Sequence, residues 1–163
     1  MAAKPPVVVE RAEGAAADAL DRARALPGVV SAGYAAHLPL SNVFASTEIS
    51  RSDHPAGTVE AAFNMASDGY LSTIGTPLVD GRDFEPSDSS TIPAVVVNEI
   101  LARQLFPGGD AVGARVRIRL LGRQTEATII GVTEAVRYDG LTAAAEPEAI
   151  VDYRVRPMIL RLF

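Results

Sequence analysis

The chain has 163 residues, 48% apolar and 21% charged, with a formal net charge of -5, enough for one domain with a sizeable core or two small subdomains sharing an interface. That acidity argues against a sequence-independent grip on nucleic acid or an anionic membrane surface. With no cysteine there is no thiol nucleophile, CxxC redox pair, Cys-based zinc site or disulfide, and no apolar run approaches the roughly 18 residues of a membrane span.

Near the N-terminus, PPVVVE (5–10) is a β-branched run behind two prolines and reads as an edge or opening strand. Its apolar part is too short for the ~7–15-residue core of a signal peptide. Residues 14–28 predict a helix, because Ala16, Ala19, Leu20, Ala23 and Leu26 recur on one face. Asp18 with Arg22, and Asp21 with Arg24, lie on the other face at i,i+4 and i,i+3, and Pro27-Gly28 stops the helix. VVSAGYAAHL (29–38) follows as a strand, completing a β-α-β unit. Residues 39–57 are turn-rich and read as a loop with a short strand at 45–50. A strand is expected at 58–67. Ser67 or Asp68 then suits the N-cap of a short helix that carries Leu71 and Ile74 and ends on Gly75, before a Pro-led strand, TPLV.

In the second half, AVVVN (94–98) is a buried-type strand, and Asn98 is a natural N-cap for EILARQLF, where Leu101 and Leu105 share a face. ARVRIRLLG (114–122) alternates strictly, with Val116, Ile118 and Leu120 on one side and Arg115, Arg117 and Arg119 on the other. QTEATIIGV (124–132) pairs with it across Gly122 as a hairpin. EAIVDYRV (148–155) and MILRLF (158–163) are further strand-like runs.

Several residues invite a chemical reading. Asp80, Asp83 and Asp88 could supply oxygens to a hard cation, but their spacing lacks the alternating ligand pattern and Pro86 intervenes, so a tight turn with Arg82 paired to a carboxylate is favoured. Arg115, Arg117, Arg119 and Arg123 make a basic strand face without interleaved aromatics, which fits a solvated outer face rather than an RNA platform. His37 and His54 are the two histidines, and there is no G-x-S-x-G elbow beside either. FPGGDAVG has glycines but no Lys-Ser/Thr to cradle phosphate. A hydrolase using a histidine is the weakest of the functional readings.

The order of the motifs is more telling than any one of them. GYLSTIGTPLVDGRDFEPSD, then PAVVVNEILARQLFPGGDAVGARVRI, then ATIIGVTEAVRYDGL, with RALPGVVSAGYAAHLPLS ahead of them, resembles the extracytoplasmic domain of MacB/FtsX-like ABC-transporter permeases. The resemblance covers roughly residues 14–163. It implies an α+β fold in two parts: a porter-like βαβ subdomain at 1–85, rejoined by a strand at 157–163, and an inserted, mostly β subdomain at 86–156. It also implies a non-catalytic domain outside the cytoplasmic membrane, relaying conformational change. No cofactor or metal is implied. The partners implied are membrane helices of the same permease and a separate ATP-binding subunit, together with a periplasmic partner protein or lipid. With no flanking membrane helices and no secretion signal, the chain looks like an excised domain or a truncated product. The competing reading is a lipid or small-molecule binding module using loop 39–57 and the cleft between subdomains. Gly81, Arg82, Asp83 and Phe84 are expected to form the structural junction: Gly81 for an unusual backbone angle, Arg82 held by a carboxylate, Phe84 burying its ring.

Overall fold

The computed structural model describes residues 7–9, 15–38, 45–88, 92–120, 122–137 and 144–155, with backbone only at 7–9, 15 and 16. The strand expected at 157–163 lies outside them. Strand β1 (Val7–Val9), helix α1 (Ala15–Ala25) and strand β2 (Ala32–Tyr34) make the expected β-α-β unit, with Val7 opposite Ala32 in a parallel pair. Leu20 and Ala23 of α1 pack on Ala32 and Val29. Leu26, expected on the same face, is 56% exposed, because the helix ends one residue earlier and Leu26 falls outside its register.

The short strand expected at 45–50 and the strand expected at 58–67 pair as a hairpin that takes in part of the stretch read as loop. Strand β3 (Ala45–Arg51) and strand β4 (His54–Ala66) pair antiparallel from Ala45 opposite Phe63 to Arg51 opposite His54. Val59 faces Ile49 while His54 faces Arg51, so residues 55–58 are looped out of the ladder. Pro55 and Gly57, which argue against a strand, sit in that bulge, where no ladder bond is required of them.

Helix α2 (Tyr70–Ile74) is capped differently from the expectation. Its N-cap is Gly69, in the left-handed region at φ 77° and without a side-chain cap. The Ser67 hydroxyl is already engaged, accepting from Tyr34 N and donating to Asp68 O, and the Asp68 carboxylate accepts from Arg24. Strand β5 (Leu78–Gly81) follows, then strand β6 (Ala94–Asn98) and helix α3 (Glu99–Leu105), where Asn98 Oδ1 accepts from Leu101 N at 3.0 Å. Strand β7 (Arg115–Leu120) and strand β8 (Arg123–Thr133) form the second hairpin. Strand β9 (Glu148–Asp152) ends three residues short of the expected run, because residues 153–155 tighten into a 3₁₀ turn.

The strands join into one mixed sheet in the order β5-β8-β6-β9-β4-β3-β7, and a further β8–β7 pairing closes six of them into a ring. β5 lies outside the ring, hydrogen-bonded to the far part of β8 from Leu78 opposite Thr133 to Gly81 opposite Gly131. Pairing does not part at residue 85, the boundary expected from the sequence. β3 pairs with β7, β4 with β9 and β5 with β8, so three ladders cross that boundary, while β1–β2 and β3–β4 pair on one side of it. Among the described residues, the piece outside this sheet is the β1-α1-β2 unit.

Side-chain parity explains the packing. Val95 and Val97 of β6 point into the larger core with Ile49, Val116, Ile118, Leu120, Ile129 and Val151, where α3 adds Leu101 and Leu105. The alternate residues Ala94 and Val96 point the other way, into a second core with Tyr70, Leu71, Phe84 and Ile150. A strand buried on both faces needs an unbroken apolar run, and AVVVN supplies one.

Asn98 ties this strand to β9. Its Oδ1 also accepts from Glu148 N at 3.2 Å, and its Nδ2 donates to Glu146 O at 2.6 Å. Asn98→Ala removes a helix cap and leaves buried backbone groups unmatched, a destabilisation of ~2–4 kcal/mol. Urea unfolding is expected to show a lower midpoint with an unchanged slope; an unaltered midpoint contradicts the tie.

Candidate functional site

The side chains that converge from the most elements lie where the β1-α1-β2 unit meets the ring. The chain leaves β5 at Gly81 with φ 72°. A Cβ there would sit 2.3 Å from Ile130 O and 2.8 Å from Gly131 Cα, so both the backbone angle and the closeness of β8 demand glycine. Asp80 Oδ1 accepts from Gly81 N at 2.7 Å, tightening the turn. Arg82 grips Asp88 with both guanidinium arms, at 2.8 and 2.7 Å, and Asp88 also accepts from Glu85 N. Asp83 accepts from Phe84 N at 2.7 Å and from Gly69 N at 3.3 Å. Phe84 is then buried in the second core.

Two more arginines brace the same corner. Arg24 on α1 donates from Nε to Ala32 O at 3.2 Å and from Nη2 to Asp68 O and Oδ2 at 2.8 and 2.9 Å. Arg154 chelates the buried Asp152 carboxylate through Nε at 2.8 and 3.0 Å, and its Nη2 reaches Glu85 O at 2.8 Å. Tyr34 and Tyr153 meet ring to ring at 5.5 Å. Gly33 allows a second close approach in the joint: a Cβ there would lie 2.4 Å from Tyr70 Cα.

Charge at the corner is divided in a way that burial and pairing explain. The Arg82 hydrogen bonds hold the Asp88 carboxyl below the usual carboxylate range. Burial pushes Asp83 up, and the carboxylates of Asp68 and Asp152 add to the rise, against the pull of the Phe84 and Gly69 amides. Burial likewise raises the Tyr153 phenol.

Of the residues singled out from the sequence, the three aspartates lie in the corner without converging on one point, and the histidines and the arginine row do not join it. Asp80, Asp83 and Asp88 each serve a different backbone or guanidinium partner, and among the described residues no group of three His, Cys, Asp or Glu is placed to hold a metal. His37 is clasped through its backbone by Asn64, which accepts from its N–H at 3.1 Å and donates to its carbonyl at 2.8 Å. His54 opens β4 opposite Arg51, whereas Asn64 follows Phe63, which lies opposite Ala45; the run of β3 between those two partners sets them roughly 20 Å apart. The two imidazoles therefore cannot act on one substrate atom. In the arginine row, Arg115 pairs with Glu126 and Arg119 with Glu48 across neighbouring strands, consistent with a solvated sheet face.

Clefts lie elsewhere. One of about 520 Å³ is lined by Arg51, Asp53, Phe106 and Asp110 among others, with the Arg51 guanidinium 5.0 Å from the Phe106 ring centre. Two more, of about 550 and 650 Å³, share Ser46 and Glu60. The first takes Arg51 and Asp53 from the 39–57 segment, away from the joint.

Sequence reasoning singled out Gly81, Arg82, Asp83 and Phe84 because Gly and Asp ahead of an aromatic are a local turn signal. It missed Arg24, Arg154 and Gly33. Arg24 meets a partner 44 positions away, and nothing in its own neighbourhood advertises that contact.

Comparison with known proteins gives a consistent picture. The model of a family described as MacB-like periplasmic core domain matches residues 5–159. Among solved structures, the extracellular domain of the noncanonic ABC-type transporter YknZ from Gram-positive bacteria superposes with a TM-score of 0.57 at 16% identity, over 88% of this chain and 65% of that one. The periplasmic region of MacB from Actinobacillus actinomycetemcomitans gives 0.47 at 17% identity, over 88% and 69%. The chain thus spans about two thirds of the length of either structure. No curated protein matches. Among the described residues, no helix is long and apolar enough to cross a membrane.

Two outcomes follow from the corner geometry. Gly81→Val forces a β-branched residue into a left-handed backbone against Ile130 O, and is expected to lower stability by ~2–3 kcal/mol and the melting temperature by several degrees; an unchanged melting curve contradicts the corner. For pH, the depressed Asp88 contributes stability that is fully present above its unfolded value near ~3.9 and is lost as pH falls through its lower folded value. Asp83 has the opposite sign: its folded value lies above the unfolded one, so stability falls as pH rises between the two. Asp88→Asn should therefore flatten the acid limb of the stability curve below about pH 4, while Asp83→Asn should leave that limb in place and remove the decline just above it. Chemical denaturation from pH 2 to 7 distinguishes the two variants; identical limbs contradict the assignment.

Proposed function

The chain belongs to the MacB-like periplasmic core domain family, and on that premise we propose that it is the part of an ABC-type permease that relays motion on the outer side of the cytoplasmic membrane. It performs no covalent chemistry. The force originates at a separate ATP-hydrolysing subunit, passes through membrane helices of the same permease, and reaches a periplasmic partner protein or lipid through this domain. Gly81, Arg82, Asp83 and Phe84 act as the structural junction, a stiff elbow between the β1-α1-β2 unit and the ring.

The observation that supports this reading is what the charged side chains at the joint hold. Arg24, Arg82 and Arg154 each grip a carboxylate and also donate to a backbone carbonyl of the corner: Asp68 O, Asp83 O and Glu85 O. Such contacts fix a geometry; they leave no nucleophile and base facing each other. A relay requires stiff pieces with a defined joint between them, and that is what these groups provide.

The experiment uses the full-length permease reconstituted with its ATP-hydrolysing subunit. Asp83→Asn weakens the elbow without removing a core side chain. Transport per ATP hydrolysed is expected to drop by ~5-fold or more, the scale of a typical coupling free energy, while hydrolysis persists. An unchanged ratio overturns the relay. A stoichiometric acyl ligand in the natively purified chain, read by mass spectrometry, overturns it in favour of a binding module.

A further inference from the structure

Helix α1 is attached to the rest of the molecule in an unusual way. Its buried side chains, Leu20 and Ala23, form a small cluster with Ala32 and Val29 that merges with neither of the two large cores. The unit is joined to the ring by the backbone bonds Ala36 N to Met65 O and Ser67 N to Tyr34 O, by the Ala35–Ala66 bridge, by Tyr34 N donating to the Ser67 hydroxyl and by the Tyr34–Tyr153 ring contact. All of these involve the strand side of the unit. The polar tie from α1 itself is Arg24.

What Arg24 grips is the turn that sets up α2. Its Nη2 holds both the main-chain and the side-chain oxygen of Asp68, and it packs so closely on the next residue that a Cβ on Gly69 would lie 3.1 Å from it. Gly69 carries the left-handed angle that turns its N–H toward Asp83. The other oxygen of Asp83 takes the Phe84 amide, and the Phe84 ring is buried against Ala94 and Val96 of β6 and Ile150 of β9. The links Arg24–Asp68, Gly69–Asp83 and Asp83–Phe84 are therefore contiguous from the surface helix to the second core, and each is a directional hydrogen bond.

We propose that Arg24 is a latch: its grip on Asp68 and Gly69 couples the position of α1 to the Asp83–Phe84 elbow, so that releasing the helix loosens the elbow and loosening the elbow frees the helix. The latch gives the proposed relay a physical route and draws its biological meaning from that reading. Its existence is a property of this chain alone. Asp68 is the latch's partner, and the titratable and charged groups that act on it are Arg24 on α1, Asp83 after β5, and Tyr153 and Arg154 after β9.

Amide hydrogen exchange by NMR on the 163-residue chain tests this without any transporter, so a failed latch and a failed relay are separate results. Arg24→Met keeps the apolar stem and removes the donors. Exchange at the amides of residues 19–25 and at Gly69 and Phe84 should rise by ~10-fold, while Val95, Val96 and Val97 stay protected. Coupling must be reciprocal, so Asp83→Asn should speed exchange in α1 as well as at Gly69 and Phe84. Faster exchange in α1 alone under Arg24→Met makes Arg24 a local anchor and overturns the latch. A uniform rise that includes β6, or no change, overturns it too. If Arg24→Met does not fold, the α1 response to Asp83→Asn decides.

Discussion

The constraint on which the molecule depends is that one five-residue strand must satisfy two cores at once. β6 sits between β8 and β9, and its alternate side chains face opposite ways, Val95 and Val97 into the ring and Ala94 and Val96 onto α2 and Phe84. Burial of a valine on either side is worth roughly 1.5–3 kcal/mol, so neither face can accept a polar residue without loss. The outer core is smaller, and Phe84 is its largest contribution from the 81–88 corner. Thus the placement of one aromatic ring by Asp83 and Gly81 is bound up with the packing of the central strand.

Around that strand, polar side chains do structural work at the places where backbone changes direction. Asn98 serves Leu101, Glu148 and Glu146; Asn64 stands in for a strand partner to His37; Ser67 serves Tyr34. Each is buried and each meets its partners within the fold, as buried polar groups must. The arginines at the joint follow the same logic with charge added. The Arg24–Asp68 and Arg82–Asp88 pairs are partly exposed and screened by solvent, Arg154–Asp152 is largely buried, and the bonds of all three arginines to backbone carbonyls specify shape.

Much of this could be read locally. AVVVN, the Asn98 cap, the alternating RVRIRL and the Gly122 turn are short-range patterns, and all appear where the sequence places them. Gly81 and Phe84 are legible for the same reason. The pairing of β4 with β9 is not, since nothing in FNMAS or EAIVD names the other. Nor could a division by chain position at residue 85 show that β3–β7, β4–β9 and β5–β8 pair across it. The bulged 55–58 segment hid a strand behind a proline and a glycine, and the α2 cap was missed because Ser67 and Asp68 had better partners elsewhere. Arg24 is the clearest case of the limit. On α1 it sits i,i+3 from Asp21 and suggests a surface pair, while the structure sends it to Asp68.

A ring of strands also imposes an order of events on synthesis. β4 waits for β9, whose first partner contact joins Ala62 to Glu148, and β3 waits for β7, so the hairpin of β3 and β4 is made before either of its outer neighbours. Until then one long edge and a face bearing Ile49 stay uncovered. Non-local pairing of this kind slows folding and prolongs exposure to aggregation. Of the six strands of the ring β9 comes last in the chain, so the circle closes only once it lies between β4 and β6.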